Sequence, residues 1–459
     1  AGLGEIVVVG YGQQKKVSLT GAVDAVKGSQ LAERPVANVS QALQGVSPGT
    51  TIINSGGAPG IDDATIRIRG YGTFGNNNPL ILVDGVTVNN MNNIDPKDIE
   101  KISILKDAAS APLYGSRAAN GVILITTKRG KAQPVSVSYS AYAGLQSLTR
   151  QPEWVSTADY MRLSNEAVIN AGKEPKYTEE AIQKTMDGTD PYKYPNTDWW
   201  GLLYHSALQQ KHTVTITAGS EKIRSAISLF YLDKEGVMIN TAANQFGLRA
   251  NNDIVLSNKL DMTMDLSLNK RHRTAPARIE DVYWNLFHDV PPTIVSQYPD
   301  GTYQLGPTSR NPLAAARESG YTRDDNYQGI INSSLNWRPL EGLKLSGRLS
   351  LRENFEEGKT YNNNYTFKDY DSHATVLTWK SSLNQWTPKE EYVNLQATAD
   401  YEKKFASHYF HLLVGYSQEH DTYKDLSASR TDFYSNNLQE LNVGSDIGKS
   451  NAGSMSEWA

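Results

Sequence analysis

The sequence predicts a small α+β domain seated as a stopper inside a transmembrane antiparallel β-barrel. Three observations lead there. Residues 79–131 read as a compact mixed unit of strand-like runs, tight turns and one short helix. From Pro134 onward the chain becomes a succession of segments in which apolar and polar residues alternate, as in strands with one apolar face. The connections between those segments are short and long by strict turns.

At the amino end, Glu5-Ile6-Val7-Val8-Val9 is an apolar run able to extend and add to another protein's sheet edge. A plain edge strand within the small domain is the alternative. Gly10-Tyr11-Gly12 resembles a dinucleotide loop only superficially, because Lys15 stands where a third glycine is needed and no helix pattern follows. Asn38 to Gly45 predicts a short helix with a capping residue at its start and a glycine at its end. Thr65 to Arg69 alternates, with Ile66 and Ile68 on one face and Arg67 and Arg69 on the other. Those arginines are expected to pair with acids on the inner barrel wall; binding of an anionic substrate is the alternative. Residues 71–78 form a Gly/Asn loop, of the kind that carries function when a rigid scaffold positions it. Leu80 to Val83 then runs into the Asp84-Gly85 turn, and Ile99 to Leu105 alternates as a half-buried strand. Ala108 to Leu113 is a helix candidate entered after Asp107, a capping type. Gly115 and Gly121 lead to a last strand, Val122 to Thr127, closed by the basic Lys128-Arg129-Gly130-Lys131.

The segments EIVVVGYGQQKK, PLILVDGV and IDPKDIEKISILKDAASAPLYGSRAANGVILITTKRGK resemble the plug of SusC/RagA-type TonB-dependent outer-membrane transporters. The resemblance covers about a quarter of the chain at motif level and departs at Ile81, where the family more often has an aromatic residue, and at Pro112. Its signature positions here are Arg67, Arg69, Gly70, Asp84, Gly85, Tyr114, Gly115, Arg117, Asn120 and Gly121. It implies a TonB-box-like coupling segment over residues 1–12, a plug domain over 13–131 and a partial transmembrane barrel over 132–459. It further implies that TonB, with its inner-membrane energising complex, grips Glu5, Ile6, Val7, Val8 and Val9. A SusD-like surface lipoprotein would act as the lid, the cargo would be an oligosaccharide or a peptide, and transporter–lid pairs could dimerise. Plug loops of the family face the substrate cavity, which makes Tyr71, Thr73, Phe74, Asn76, Asn77 and Asn78 candidate substrate contacts.

The barrel strands begin with Val135, Val137, Tyr139, Ala141, Ala143 and Leu145 sharing one face against Ser136, Ser138 and Ser140. Later strands are expected over 212–218, 223–231, 246–254, 260–268, 327–337, 343–351, 392–401 and 410–416. Leu260 to Leu268 sets leucines and methionines against Asp261, Thr263, Asp265 and Ser267, the apolar-out, polar-in dyad of an outer-membrane strand. A soluble sandwich would show the same alternation. The connections favour the barrel: tight turns near residues 220, 257, 340 and 406 alternate with long links, as periplasmic turns alternate with extracellular loops. Within the long links, residues 157–171 and 178–187 read as helices. DPYKYPNTDWW, ending in Trp199 and Trp200, suits sugar or peptide capture, and equally suits loop packing or a protein interface.

Composition agrees. Net charge is −4, from 45 basic and 49 acidic residues, which offers no nucleic-acid footprint. No cysteine is present, so disulfides and thiolate chemistry are excluded. Mean hydropathy is −0.49 and no apolar run is long enough for a transmembrane helix, yet alternating barrel strands hide from such averages. The 25 tyrosines against 9 phenylalanines suit surfaces apolar at one end and wet at the other. No signal peptide opens the chain, so the mature form is expected. No nucleophile elbow, P-loop or HExxH occurs. His408 and His411 fall on opposite strand faces with no third ligand evident. No catalytic residue, metal or cofactor is therefore expected, and the chain reads as a non-enzyme.

About nine strands are expected in this chain, with a polar, loop-like end over 442–459. A plug of this size suits barrels of roughly 22 strands. An open barrel would leave backbone groups unpaired in lipid, so the remainder of the barrel chain is expected as a partner segment. Bacterial outer-membrane import is the leading reading. The alternatives are a TonB-dependent siderophore or vitamin receptor, and a surface glycan-binding protein without transport.

Overall fold

A computed structural model describes residues 6–9, 12–15, 23–34, 36–54, 56–106, 112–405 and 408–458. The first two strands, β1 (Ile6–Val9) and β2 (Gly12–Lys15), pair antiparallel. The small domain follows: β3 (Val23–Lys27), α1 (Gly28–Ala32), α2 (Val39–Ala42), β4 (Thr50–Ile53), β5 (Thr65–Ile68), β6 (Leu80–Val83), β7 (Val86–Thr87), β8 (Ile99–Leu105) and β9 (Val122–Thr127). Five of these form one sheet in the order β3-β8-β9-β6-β7, in which only β6 and β9 run parallel. β4 and β5 form a separate ribbon. Their apolar faces close one core, with Ile99, Ile102, Ile104, Ile123 and Ile125 from the sheet meeting Leu31, Val39 and Leu43 from the helices.

Local chemistry explains the turns. Asp84 and Gly85 both take positive φ, 50° and 89°, which the tight hairpin between β6 and β7 requires. Gly85 has a second reason to lack a side chain: a Cβ there would lie 2.0 Å from the Arg348 guanidinium of the wall. The helix expected over 108–113 falls mostly outside the described residues, and a 3₁₀ turn over Pro112–Ala118 follows it. Asn38 does precede α2, but its side chain makes no cap and instead donates to the Asp62 carbonyl.

The wall comprises β10 (Ser136–Gln146), β11 (Ala207–Gly219), β12 (Ile223–Glu235), β13 (Ala242–Ser257), β14 (Leu260–Pro276), β15 (Gly320–Trp337) and β16 (Leu343–Asn362). In the next link, β17 (Tyr365–Lys368) and β18 (Thr375–Trp379) form a small hairpin. The wall resumes with β19 (Ser382–Trp386), β20 (Lys389–Phe405), β21 (His408–Thr431) and β22 (Ser445–Trp458). Eleven strands make one antiparallel sheet, with the short β19 filling the far ends between β16 and β21. Two expectations are corrected here. The sheet has eleven strands where about nine were expected, and the polar end is a strand paired to β21. β22 is rich in Ser and Gly and has no apolar period, so backbone pairing alone reveals it.

The outer face is apolar, as the dyads require. Val137 and Tyr139 are 65% and 64% exposed, while Asp265, Ser267 and Asn269 point inward and are buried. Trp337, Tyr401 and Phe410 ring the short-turn end, and Tyr231, Phe246, Tyr327 and Phe355 ring the other. From Trp337 to Tyr327 is ten residues of β15, about 33 Å along a strand at 3.3 Å per residue. At a tilt of about 40° the girdles stand about 25 Å apart, the height of the apolar band of an outer-membrane barrel.

The long links build a body of their own. α3 (Thr157–Asn170), α4 (Glu179–Asp187), α5 (Trp199–Leu203), α6 (Ile279–Trp284) and α7 (Pro312–Glu318) lie there. Ser156 and Thr178 cap α3 and α4 through their hydroxyls. Trp199, Leu203, Val282, Leu286, Leu313 and Phe367 pack into one apolar cluster above the wall.

Candidate functional site

The small domain sits against the inner face of the wall, and the contacts are mostly charged. Lys211 reaches Asp95 at 3.2 Å, Lys234 reaches Asp62 at 2.5 Å and Arg249 reaches Asp84 at 3.3 Å, all buried. Arg129 spans Asp253 and Asp265 at 2.7 and 2.8 Å. Arg352, 1% exposed, donates to the Thr87 carbonyl and to Glu390, both at 2.6 Å, and lies over the Tyr392 ring. Buried charges persist only when paired in this way. Burial, with Asp95 adding, pushes the Asp98 carboxyl up to about 6 against the opposing pull of Ser228, Arg249 and Lys211.

On the long-loop side of the small domain lies a pocket of about 690 Å³. Its position follows from its neighbours: Asn89 donates to Glu390 at the start of β20, and Asp62, beside the lining residue Asp63, pairs with Lys234 at the end of β12. Six asparagines line it, 76, 78, 89, 90, 92 and 120, together with Asp63 and Arg117. Several of these amides also shape the loops. Asn90 and Asn92 both donate to Asp63, at 2.7 and 2.5 Å. Asn120 donates to the Asn76 carbonyl at 2.8 Å. The amide edges left over face the cavity as neutral donors and acceptors, which suit uncharged polar groups.

The loop 71–78 is braced from within. Buried Asn77 accepts from the Gly72 and Thr73 amides and donates to the Thr73 and Gly75 carbonyls. Arg67 donates to Asn78 at 2.6 Å and stacks on Tyr71. Among the described residues Arg67 reaches no wall acid, which corrects the pairing expected for it: its side chain turns to the loop and not the wall. Arg69 leaves the strand with φ 59° and Gly70 follows at 89°, so the two arginines do not share a working face. The bracing holds Tyr71 and Phe74 exposed at the rim.

The other expected residues divide. Asn76, Asn78, Arg117 and Asn120 come together at the pocket. Arg117 pairs with Glu419 and lies over the Trp458 ring. Gly115 and Gly121 supply positive φ beside Tyr114. Trp199 and Trp200 go elsewhere: Trp199 is 1% exposed with its indole donating to the Pro291 carbonyl, and Trp200 packs against Trp154, Tyr204 and Phe287. Both build the loop body, because their apolar area is worth more buried than presented. Glu5 lies outside the described residues, and Ile6 to Val9 form β1. Sequence reasoning missed Asp63, Asn89, Asn90 and Asn92; the asparagine cluster over 89–93 is a visible signal for the last three. It also missed that Asp400 and Glu402 stand across the strands from His411, 2.9 and 4.0 Å from its Nε2, where no further ligand-type residue was expected.

A stopper domain bonded inside an antiparallel wall with an apolar exterior defines a plugged outer-membrane barrel, and residues 15–122 match the TonB-dependent Receptor Plug Domain. The chain is 39% identical over 265 residues to TonB-dependent receptor P26 of Formosa agariphila, covering 56% of this chain and 26% of that protein. It is 27% identical to the TonB-dependent receptor SusC of Bacteroides thetaiotaomicron, covering 91% of this chain and 43% of that protein. It shares the fold of the RagAB peptide importer in its closed-closed state, with a TM-score of 0.79 at 22% identity, covering 96% of this chain and 52% of that one. The plug-domain match and these likenesses support a SusC/RagA-type TonB-dependent receptor of the bacterial outer membrane. It spans less than half the length of these two curated relatives.

Proposed function

We propose that this chain supplies the plug and part of the barrel of an importer that takes oligosaccharides or peptides across the outer membrane with energy from TonB. Residues 1–12 are the coupling segment, 13–131 the plug and 132–459 the wall. The observation that carries the reading is the asparagine-lined pocket on the loop side of a plug pinned to its wall by buried ion pairs. A pocket lined mainly by amides, its one acid and one arginine already partnered, suits hydroxyl or amide groups, with Tyr71 and Phe74 as exposed aromatic contacts nearby. The long loops rise on the same side, where a SusD-like lipoprotein lid would close over cargo. TonB would add a strand to residues 5–9 from the periplasm and pull. Deleting Glu5 to Val9 in the outer-membrane transporter should abolish uptake of labelled oligosaccharide and peptide pools while surface binding persists. Uptake at the parental rate would remove the coupling role.

A further inference from the structure

We propose that cargo passes the plug on one side only, in the seam against β11–β13, and that two buried aspartate–lysine pairs, Asp62–Lys234 and Asp95–Lys211, close that route. The proposal rests on the import reading above.

Three spaces lie in file along this seam. The upper pocket shares Asp63 and Asn92 with a void of about 20 Å³, whose wall side includes Leu232, Lys234 and Gln245. Farther toward the short turns is a cavity of about 260 Å³ between Asp98 and Lys128 of the plug and Thr215, Ser228 and Arg249 of the wall. Strand register fixes what separates them. Lys211, Leu232 and Gln245 form one row across β11–β13, and Thr215, Ser228 and Arg249 form another. The row between is Thr213, Phe230 and Gly247. Asp95 closes that level, accepting from Thr213 at 2.7 Å and pairing with Lys211, whose ammonium lies over Phe230. Asp62–Lys234 closes the level above.

The lower cavity is chemically unfinished. Ser228 Oγ faces Asp98 without a hydrogen bond of normal geometry, and Asn251 Oδ1 has no partner; these residues are 6% and 2% exposed. Unsatisfied buried polar atoms in a roomy polar space call for water or a passing polar group. Lysine is a point charge on a flexible stem, so each closing pair can open and re-form against water or cargo. The opposite seam is built otherwise. Ile330 and Tyr392 of the wall enter the plug core, and Arg352 ties three partners at once.

These 459 residues hold no cysteine, so each introduced thiol is read against the unaltered transporter in cells. Ser228→Cys and Ser350→Cys are buried, inward-facing replacements on the two sides, the second also giving up a hydrogen bond to Asn332. The probe is a polar maleimide too large for general diffusion pores, added outside energised cells. Ser228→Cys should label about tenfold faster than Ser350→Cys, because labelling follows local opening, and cells lacking TonB should lose the difference. Thr215→Cys, lining the same cavity, is the second variant should Ser228→Cys fail to assemble. Equal labelling on the two sides, or none at residues 228 and 215 while the parent imports, overturns the route and leaves the import reading standing. Absence of uptake by the unaltered transporter strikes the import reading instead.

Discussion

The two sides of the plug meet the same wall through different chemistry. Toward β11–β13 the contact is polar and gapped, with Lys211 and Lys234 on aspartates, Arg249 on Asp84, and the Ser228 hydroxyl left over. Toward β15–β20 it is interlocked, with Ile330 and Tyr392 inside the plug core and Arg352 bonded on several sides. A stopper that must stay seated, yet yield, needs one firm side and one side that hydrates easily. The contrast suggests where yielding begins.

The largest expected effect tests the firm side. Arg352→Ala strands Glu390 and Asp421 as unpaired acids and should cost about 3–5 kcal/mol in denaturant unfolding of the assembled protein. Ile330→Ala opens a void at the plug surface and should cost about 2–3 kcal/mol by the same measurement. On the yielding side, Asp98 gives a pH signature. Its folded-state carboxyl is raised to about 6, so it contributes stability that is fully present below its unfolded value near 3.8 and is lost as pH rises through about 6. Once the intrinsic pH dependence of exchange is divided out, hydrogen exchange around residues 95–98 should therefore be more protected at pH 5 than at pH 7.5, by about 1.4 kcal/mol in opening free energy. Asp98→Asn should flatten that dependence; an unchanged profile would show that another group sets it. The smallest effect should come from replacing Asp95 with Asn and Lys211 with Met together. Exchanging a whole buried pair for neutral groups is expected to shift stability by only about 1 kcal/mol, whereas Asp95→Asn alone leaves Lys211 uncompensated.

Much of the architecture was legible, and the limits follow from solvent. Strand alternation identified the lower halves of the wall strands because lipid lies on one face and the plug on the other. Above the outer girdle β14, β15 and β16 meet water and loop residues in place of lipid, so the period vanishes and the strands run on past their expected ends at residues 268 and 351. β22 escaped for the same reason. At the site, turn chemistry gave Asp84-Gly85 and the 71–78 loop, but composition could not tell which aromatics would be presented. Tyr71 and Phe74 are held outward by Asn77, while Trp199 and Trp200 are consumed in packing. Cross-strand neighbours such as Lys211 and Asp95 lie 116 positions apart in the chain, from 211 and 95, and no local pattern links them.

The loop body above the barrel has a consequence of its own. Because α5, α6, α7 and the β17–β18 hairpin fold around their own tryptophan-centred cluster, their exposed residues can change without disturbing the membrane belt or the seating of the plug. The face turned to the environment is thus free to diversify under pressure from new nutrients, phages or antibodies, while the machinery beneath it stays fixed.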